Sequence, residues 1–310
     1  MSNRALVSAV IPTRNRPSLV LRAVKTALTQ THPNMEVVVV VDGPDNSTSK
    51  ALAAIADSRL QIVTLPQPQG GSGARNAGVK AAHGDWIAFL DDDDEWMPSK
   101  IECQLSTALG SRHRIPVVSS RIIARTPGRD YVWPRRLPSP HEPISDYLFS
   151  RTSLFQGEGL VQTSTLFTTR EFLLKMPFRQ GLKKHQDWDW LIRAGKQEGV
   201  GFEFADHPLA VWYTDQKRSS ISNSDDWRFS MHWVREMHSC FTPQAYAGFV
   251  LIVVAGQAAA ATTWREYWDL LSDSLESGEC RVLHLLLFAG MRLFPRETRR
   301  KFRAWLGGSR

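Results

Sequence analysis

Two carboxylates one residue apart, Asp91 and Asp93, stand at the end of a short apolar run in Trp86-Ile87-Ala88-Phe89-Leu90-Asp91-Asp92-Asp93-Asp94. Alternate side chains of an extended chain point the same way. The pair can therefore offer hard oxygen donors to Mg2+ or Mn2+, leaving the other positions to a diphosphate and water. Four adjacent aspartates repel one another, and a divalent cation would supply the counter-charge. The plain alternative is a solvated acidic loop. A second stretch, Gly70-Gly71-Ser72-Gly73-Ala74-Arg75-Asn76, opens a helix with small residues, where backbone N–H groups can approach an anion. It is neither a Walker loop nor a dinucleotide fingerprint after the first strand, and a simple turn explains it equally well. Arg75, one turn inside, can add a charge-assisted contact to phosphate.

Two further places carry usable side chains. Asp42, followed by Gly43-Pro44, can accept hydrogen bonds from a base or a ribose, or can serve only the turn. In His185-Gln186-Asp187-Trp188-Asp189-Trp190, acids open a helix, where any acid is favoured by the helix dipole. Asp187 is the better candidate for a catalytic group. Trp188 and Trp190 are either core or flat faces for a sugar ring.

The elements that must position these residues alternate. Residues 5–11, 35–41, 60–65 and 86–90 read as strands; residues 17–28, 47–56 and 72–82 read as helices. Pro17 suits the first turn of a helix, and the valines of 35–41 suit a strand covered on both faces. A βαβαβαβ order predicts a mostly parallel, doubly wound sheet, with ligands beyond the carboxyl ends of its strands. The segments after those ends are Pro12-Thr13-Arg14-Asn15-Arg16, Asp42 to Asp45, and Asp91 to Glu95. Residues 125–143 read as a Pro- and Arg-rich loop. Strands are expected again at 163–169, 202–205 and 209–213, and helices at 187–196, 264–271 and 282–293.

Composition is that of a globular chain of 310 residues. The net charge of +7 resides in residues 281–310, which carry eight Lys or Arg against one acid, Glu297. Residues 1–280 are neutral, so the charge gives no reason to expect a nucleic-acid partner. Cys103, Cys240 and Cys280 lack metal-type spacing and suit packing in a reducing compartment. The longest apolar run, 246–261, contains Gln257 and falls short of the ~20 residues a spanning helix needs. With no secretory signal at its start, the chain is expected in the cytoplasm.

Five motifs in order resemble the family 2 glycosyltransferases, which have the GT-A fold. They are Val10-Ile11-Pro12-Thr13-Arg14-Asn15, Val40-Val41-Asp42-Gly43, Gly73-Ala74-Arg75-Asn76-Ala77-Gly78, Phe89-Leu90-Asp91-Asp92-Asp93-Asp94, and Gln186-Asp187 ahead of Trp190-Leu191-Ile192-Arg193. The resemblance covers residues 5–215. It implies an inverting transferase that takes a sugar from a nucleotide-sugar donor to a glycan or lipid-linked acceptor, with Mn2+ or Mg2+. It further implies that Pro12, Thr13, Arg14, Asp42, Arg75, Asp91 and Asp92 contact the nucleotide and that Asp91 and Asp93 contact the metal. Asp187 becomes the base, with Gln186 and Trp188 beside the acceptor. The chain departs from the pattern in having Gln186 where Glu is common and Val41 before Asp42. Asp215, ahead of His207, is the candidate for a further metal contact. A nucleotidyltransferase and a non-catalytic nucleotide-sugar-binding module are the competing readings.

The domain organisation expected is a catalytic domain over 1–228, its nucleotide half at 1–110 and its acceptor half at 111–228. A helical extension would follow over 229–310. Its segment 282–303 pairs an apolar helix with a basic end, which suits either contact with an anionic membrane or packing on the domain.

Overall fold

The computed structural model describes residues 5–154, 157–214, 226–294 and 298. By internal contacts the chain divides into two units, Met1–Pro134 with Val161–Arg218, and Arg135–Leu160 with Ser219–Arg310. The loop segment 135–160 thus groups with the C-terminal helices.

The first unit begins β1 (Val7–Thr13), α1 (Pro17–Leu28), β2 (Met35–Val41), α2 (Asn46–Ala53), β3 (Leu60–Thr64), α3 (Gly70–Ala81), β4 (Trp86–Phe89), β5 (Glu95–Trp96) and α4 (Lys100–Gly110). It continues with β6 (Ile115–Arg125) and β7 (Asp130–Trp133). After the intervening α5 (Ile144–Phe149) of the second unit come β8 (Phe167–Thr169), α6 (Arg170–Lys175), α7 (Gln186–Ala194) and β9 (Val200–Tyr213). Among the described residues one sheet of nine strands forms, in the order β3-β2-β1-β4-β8-β6-β9-β5, with β7 against β6. Val37 to Val41 of β2 are fully buried, as a strand covered on both faces requires.

β3, β2, β1 and β4 are parallel, as the alternating order predicts. Beyond β4 the sheet is mixed. β8 runs antiparallel to both β4 and β6, whereas β9 is parallel to β6. The 3-10 turn Thr163–Thr165 leads straight into β8 from the carboxyl edge of β4, with no crossover helix to carry the chain back to the other end. The two strands expected over 202–213 are one. Ala205 pairs with Ser120 and Pro208 with Arg121, so Asp206 and His207 are extra residues that bulge out exposed.

The second unit is helical: α5, α8 (Trp227–Glu236), α9 (Pro243–Gly248), a π-helical turn (Phe249–Val254), α10 (Ala255–Ala258), α11 (Trp264–Ser277) and α12 (Val282–Leu293). Phe149, Trp233, Phe241 and Phe249 form its aromatic core. Tyr267 of α11 stacks on Phe288 of α12 at 4.2 Å between ring centres. No helix among the described residues is long and apolar enough to cross a membrane.

Candidate active site

Because β1, β2 and β4 run parallel, their carboxyl ends meet on one edge. The Asp42 N–H donates to Thr13 O at 2.9 Å and the Leu90 N–H to Val10 O at 3.1 Å, so the three polar segments start side by side. Gly43, at φ +97°, turns the chain after Asp42 as few residues other than glycine can. Asn15 also sits in the left-handed region, at φ +53°, held by its N–H on Asp45 Oδ2 at 2.7 Å. Asp45 simultaneously caps α2 through Thr48 N, and these hydrogen bonds outweigh burial to bring its carboxyl down to about 2.

The four aspartates form a turn rather than an extended strand end, with the Asp94 N–H donating to Asp91 O at 3.1 Å. Their exposure still alternates, for a different reason than strand periodicity. Asp92 is drawn inward by the Thr13 hydroxyl, 2.8 Å away, and by Arg16 at 2.9 Å. Asp94 is drawn inward by the Ser164 hydroxyl and the Gln162 amide, each at 2.7 Å. The Asp91 and Asp93 side chains remain 25% and 31% exposed. Burial raises Asp92 to about 6, with Arg16 and Thr13 opposing it. Burial, reinforced by the charges of Asp91 and Asp93, pushes Asp94 well up.

Arg75 is the hub. Its guanidinium is buried, 2.7 Å from Asp91 Oδ1 and 3.2 Å from Gln186 Oε1. Gly71 makes this possible, since a Cβ there would lie 2.8 Å from Gln186 Oε1 and 3.0 Å from Arg75 Nη1. Burial pulls the Arg75 pKa down, but Asp91 and Asp187 more than offset it. Asp187 lies in the first turn of α7, whose N-cap is His185, a non-glycine residue at φ +66°. Burial raises the Asp187 carboxyl, the Arg75 charge opposes that, Asp91 adds to it, and Thr163 lowers it. Part of its surface stays open.

The remaining expected residues are placed as follows. Pro12 lies in β1 opposite Val40, and Arg14 is exposed at the edge. Asp42 is buried, accepting from the N–H groups of Gln69 and Gly70 at 2.6 and 3.0 Å. It therefore fixes the entrance to α3. Trp188 is half-buried and stacks on His185 at 4.9 Å. Asp189 is fully buried between Arg179 and Arg193, and Trp190 is core. Asp215 lies outside the described residues.

Several participants carried no separate signal. Arg16 belongs to the basic loop, but nothing in its spacing marks it over Arg14. Arg22, the sixth residue of α1, reaches Asp93 O at 2.6 Å and Glu95 at 3.1 Å. Gln162 and Ser164, the cap and second residue of the 3-10 turn, lie about seventy residues downstream of Asp94, which they serve, and Thr163 of the same turn serves Asp187.

Asp91 and Asp93 fit a divalent cation only as a partial shell. Among the described residues no three His, Cys, Asp or Glu side chains form a metal-holding group. Two partly exposed carboxylates with hard oxygens suit Mg2+ or Mn2+ shared with a diphosphate, not a closed protein cage.

Comparison with known proteins bears on the family and the fold. The family model described as Glycosyl transferase family 2 matches residues 8–175. The amylovoran biosynthesis glycosyltransferase AmsB of Erwinia amylovora is 29% identical over 242 residues, covering 74% of this chain and 77% of its own. The crystal structure of S. aureus TarS residues 1–349 in complex with UDP-GlcNAc aligns with a TM-score of 0.59 at 16% identity, over 97% of this chain and 92% of that one. The mannosyltransferase PcManGT from Pyrobaculum calidifontis, in complex with GDP-Man and Mn2+, aligns at 0.56 with 16% identity, over 97% and 84%. At these identities the two structures speak to the fold alone, which is GT-A.

Proposed function

The chain belongs to glycosyl transferase family 2, and we propose that it moves one sugar from a nucleotide-diphosphate sugar to a hydroxyl of a glycan or lipid-linked glycan, with inversion and the help of a divalent cation. The biosynthetic setting of AmsB supports polysaccharide assembly as the context. One observation carries the reading: Arg75 ties Asp91, on the edge expected to hold the diphosphate, to Gln186, next to a half-buried Asp187.

In this reading the nucleoside lies over Pro12, Thr13 and Arg14, with Asp42 beneath and Asp92 fixed by Thr13 and Arg16. Arg14 is the exposed cation there. Asp93 and Asp91 would hold Mn2+ or Mg2+, which when bound supplies neutralising charge at the diphosphate. Asp187 takes the proton of the acceptor hydroxyl. The acceptor oxygen bonds to the anomeric carbon while that carbon's bond to the diphosphate breaks, and the electron pair leaves with the nucleoside diphosphate. A single displacement of this kind inverts the configuration. Trp188 and Gln186 flank the acceptor side. The membrane-facing part of the reading assigns peripheral contact to residues 282–303, at the inner face of the cell membrane.

The test is a thermal-shift panel of UDP, GDP and dTDP sugars, with and without Mn2+, on the wild type and Asp93→Ala. A ligand present at 100 times its Kd stabilises the folded state by about 2.7 kcal/mol. The expected result is a metal-dependent shift with one donor that is lost in Asp93→Ala. Folded protein that shifts with no donor would overturn the reading.

A further inference from the structure

Helices α11 and α12 each carry an exposed apolar stripe with the same spacing. On α11 it is Trp264, Trp268, Leu271 and Leu275; on α12 it is Val282, Leu286, Ala289 and Leu293. Offsets of four, seven and eleven lie on one side of an α-helix. The packed side lies about 100° round from the stripe on α11, at Tyr267, Leu270 and Ser274, and on the far side from it on α12, at His284 and Phe288. Trp264, Trp268, Leu275, Val282, Leu286 and Leu293 are each more than half exposed.

The helices that carry the two stripes are adjacent. Trp268 meets the Phe288 ring, and the Arg292 guanidinium lies 4.7 Å over Trp264. Together they form one apolar face with two tryptophans, larger than the scattered exposed side chains that a soluble surface normally carries.

Charge selects what covers it. Between Glu279 and Glu297 the sequence has no acidic residue. Arg281 and Arg292 bracket α12, and Arg296, Arg299, Arg300, Lys301 and Arg303 follow in sequence. The acids of α11 are disposed elsewhere. Glu266 pairs with Arg228, and Asp273 with Arg235 and Tyr246. Asp269 and Glu276, each one residue after a stripe position, fall about 100° around the helix, on the flank away from Tyr267 and α12. An anionic lipid surface meets both the stripe and the charge. Tryptophan belongs at such an interface, where its apolar ring and polar N–H each find their medium.

We propose that α11 and α12 together are a membrane-docking platform, lying flat on an anionic lipid surface with Trp264, Trp268, Leu286 and Leu293 inserted. This rests on the peripheral-membrane part of the proposed function and relocates its contact from a basic tail to a two-helix face.

Full-length protein is co-sedimented with vesicles of phosphatidylcholine, with and without phosphatidylglycerol. The variants are Leu286→Glu/Leu293→Glu, Trp264→Ser/Trp268→Ser and Arg299→Gln/Arg300→Gln/Lys301→Gln. Wild type is expected to bind the anionic vesicles, and each face variant to bind about tenfold or more weakly, as the loss of two inserted apolar side chains requires. The proposal is overturned if the face variants bind as wild type while the basic variant does not. It is equally overturned if wild type ignores vesicles and light scattering shows a dimer that the face variants dissolve. Donor-induced thermal shifts on the same variants are expected to match wild type. Their absence in every protein, with vesicle binding intact, would count against the transferase reading and leave the platform standing.

Discussion

At the carboxyl edge of the sheet the protein supplies partners for all four consecutive aspartates. Arg75 meets Asp91, Thr13 and Arg16 meet Asp92, Arg16 meets Asp93, and Gln162 and Ser164 meet Asp94. On α11 and α12, six large apolar side chains reach water over more than half their surface. The contrast follows from what each kind of group costs. A carboxylate withdrawn from water without a partner costs several kcal/mol, so the fold must satisfy it internally. An exposed leucine costs the native state nothing relative to the unfolded chain. The arrangement of the acids therefore reports chemistry inside the first unit, and that of the apolar stripes reports the surroundings of the second.

The comparison breaks first, and by the largest amount, at Asp187. Asp187→Asn removes the proposed base, and kcat is expected to fall about 100- to 10,000-fold with donor affinity retained. The wild-type rate should also decline on the acid side. Burial raises the Asp187 carboxyl, so the working anion is lost as pH falls through a value above the ordinary ~3.9 of an aspartate. Steady-state rates against pH, for wild type and the variant, check both statements. A variant that keeps the same acid limb would remove Asp187 from the role.

Arg75→Ala comes next. It leaves Asp91 and Gln186 without their buried cation and is expected to cost about 3 kcal/mol of stability, read by urea denaturation without ligand. A cost under 0.5 kcal/mol would mean that water already satisfies this edge. The smallest effect tests the other side of the comparison. Leu286→Ser should leave stability within about 0.5 kcal/mol of wild type, because the side chain is 62% exposed. A drop of 2 kcal/mol or more would show that α12 uses this face for packing.

Much of the first unit is legible in the chain. The valines of β2, Pro17 at the start of α1 and the alternation through β4 follow from local periodicity, and parallel strands then bring Thr13, Asp42 and Asp91 to one edge. The turn at Asp91 to Asp94 was not legible, because it is held by groups 68 to 79 residues away in sequence. The antiparallel entry of β8 escaped for the same reason.

By itself, then, the sequence determined the residue types that do the chemistry and the local elements that carry them, since periodicity and turn residues act over a few positions. It also determined the apolar stripes of α11 and α12, which helical spacing alone defines. Only the tertiary structure decided which aspartates face inward, that Arg75 braces Asp91 against Gln186, and that α11 lies against α12. Those outcomes depend on hydrogen bonds and ring contacts between distant segments, and such contacts exist only once the chain has folded.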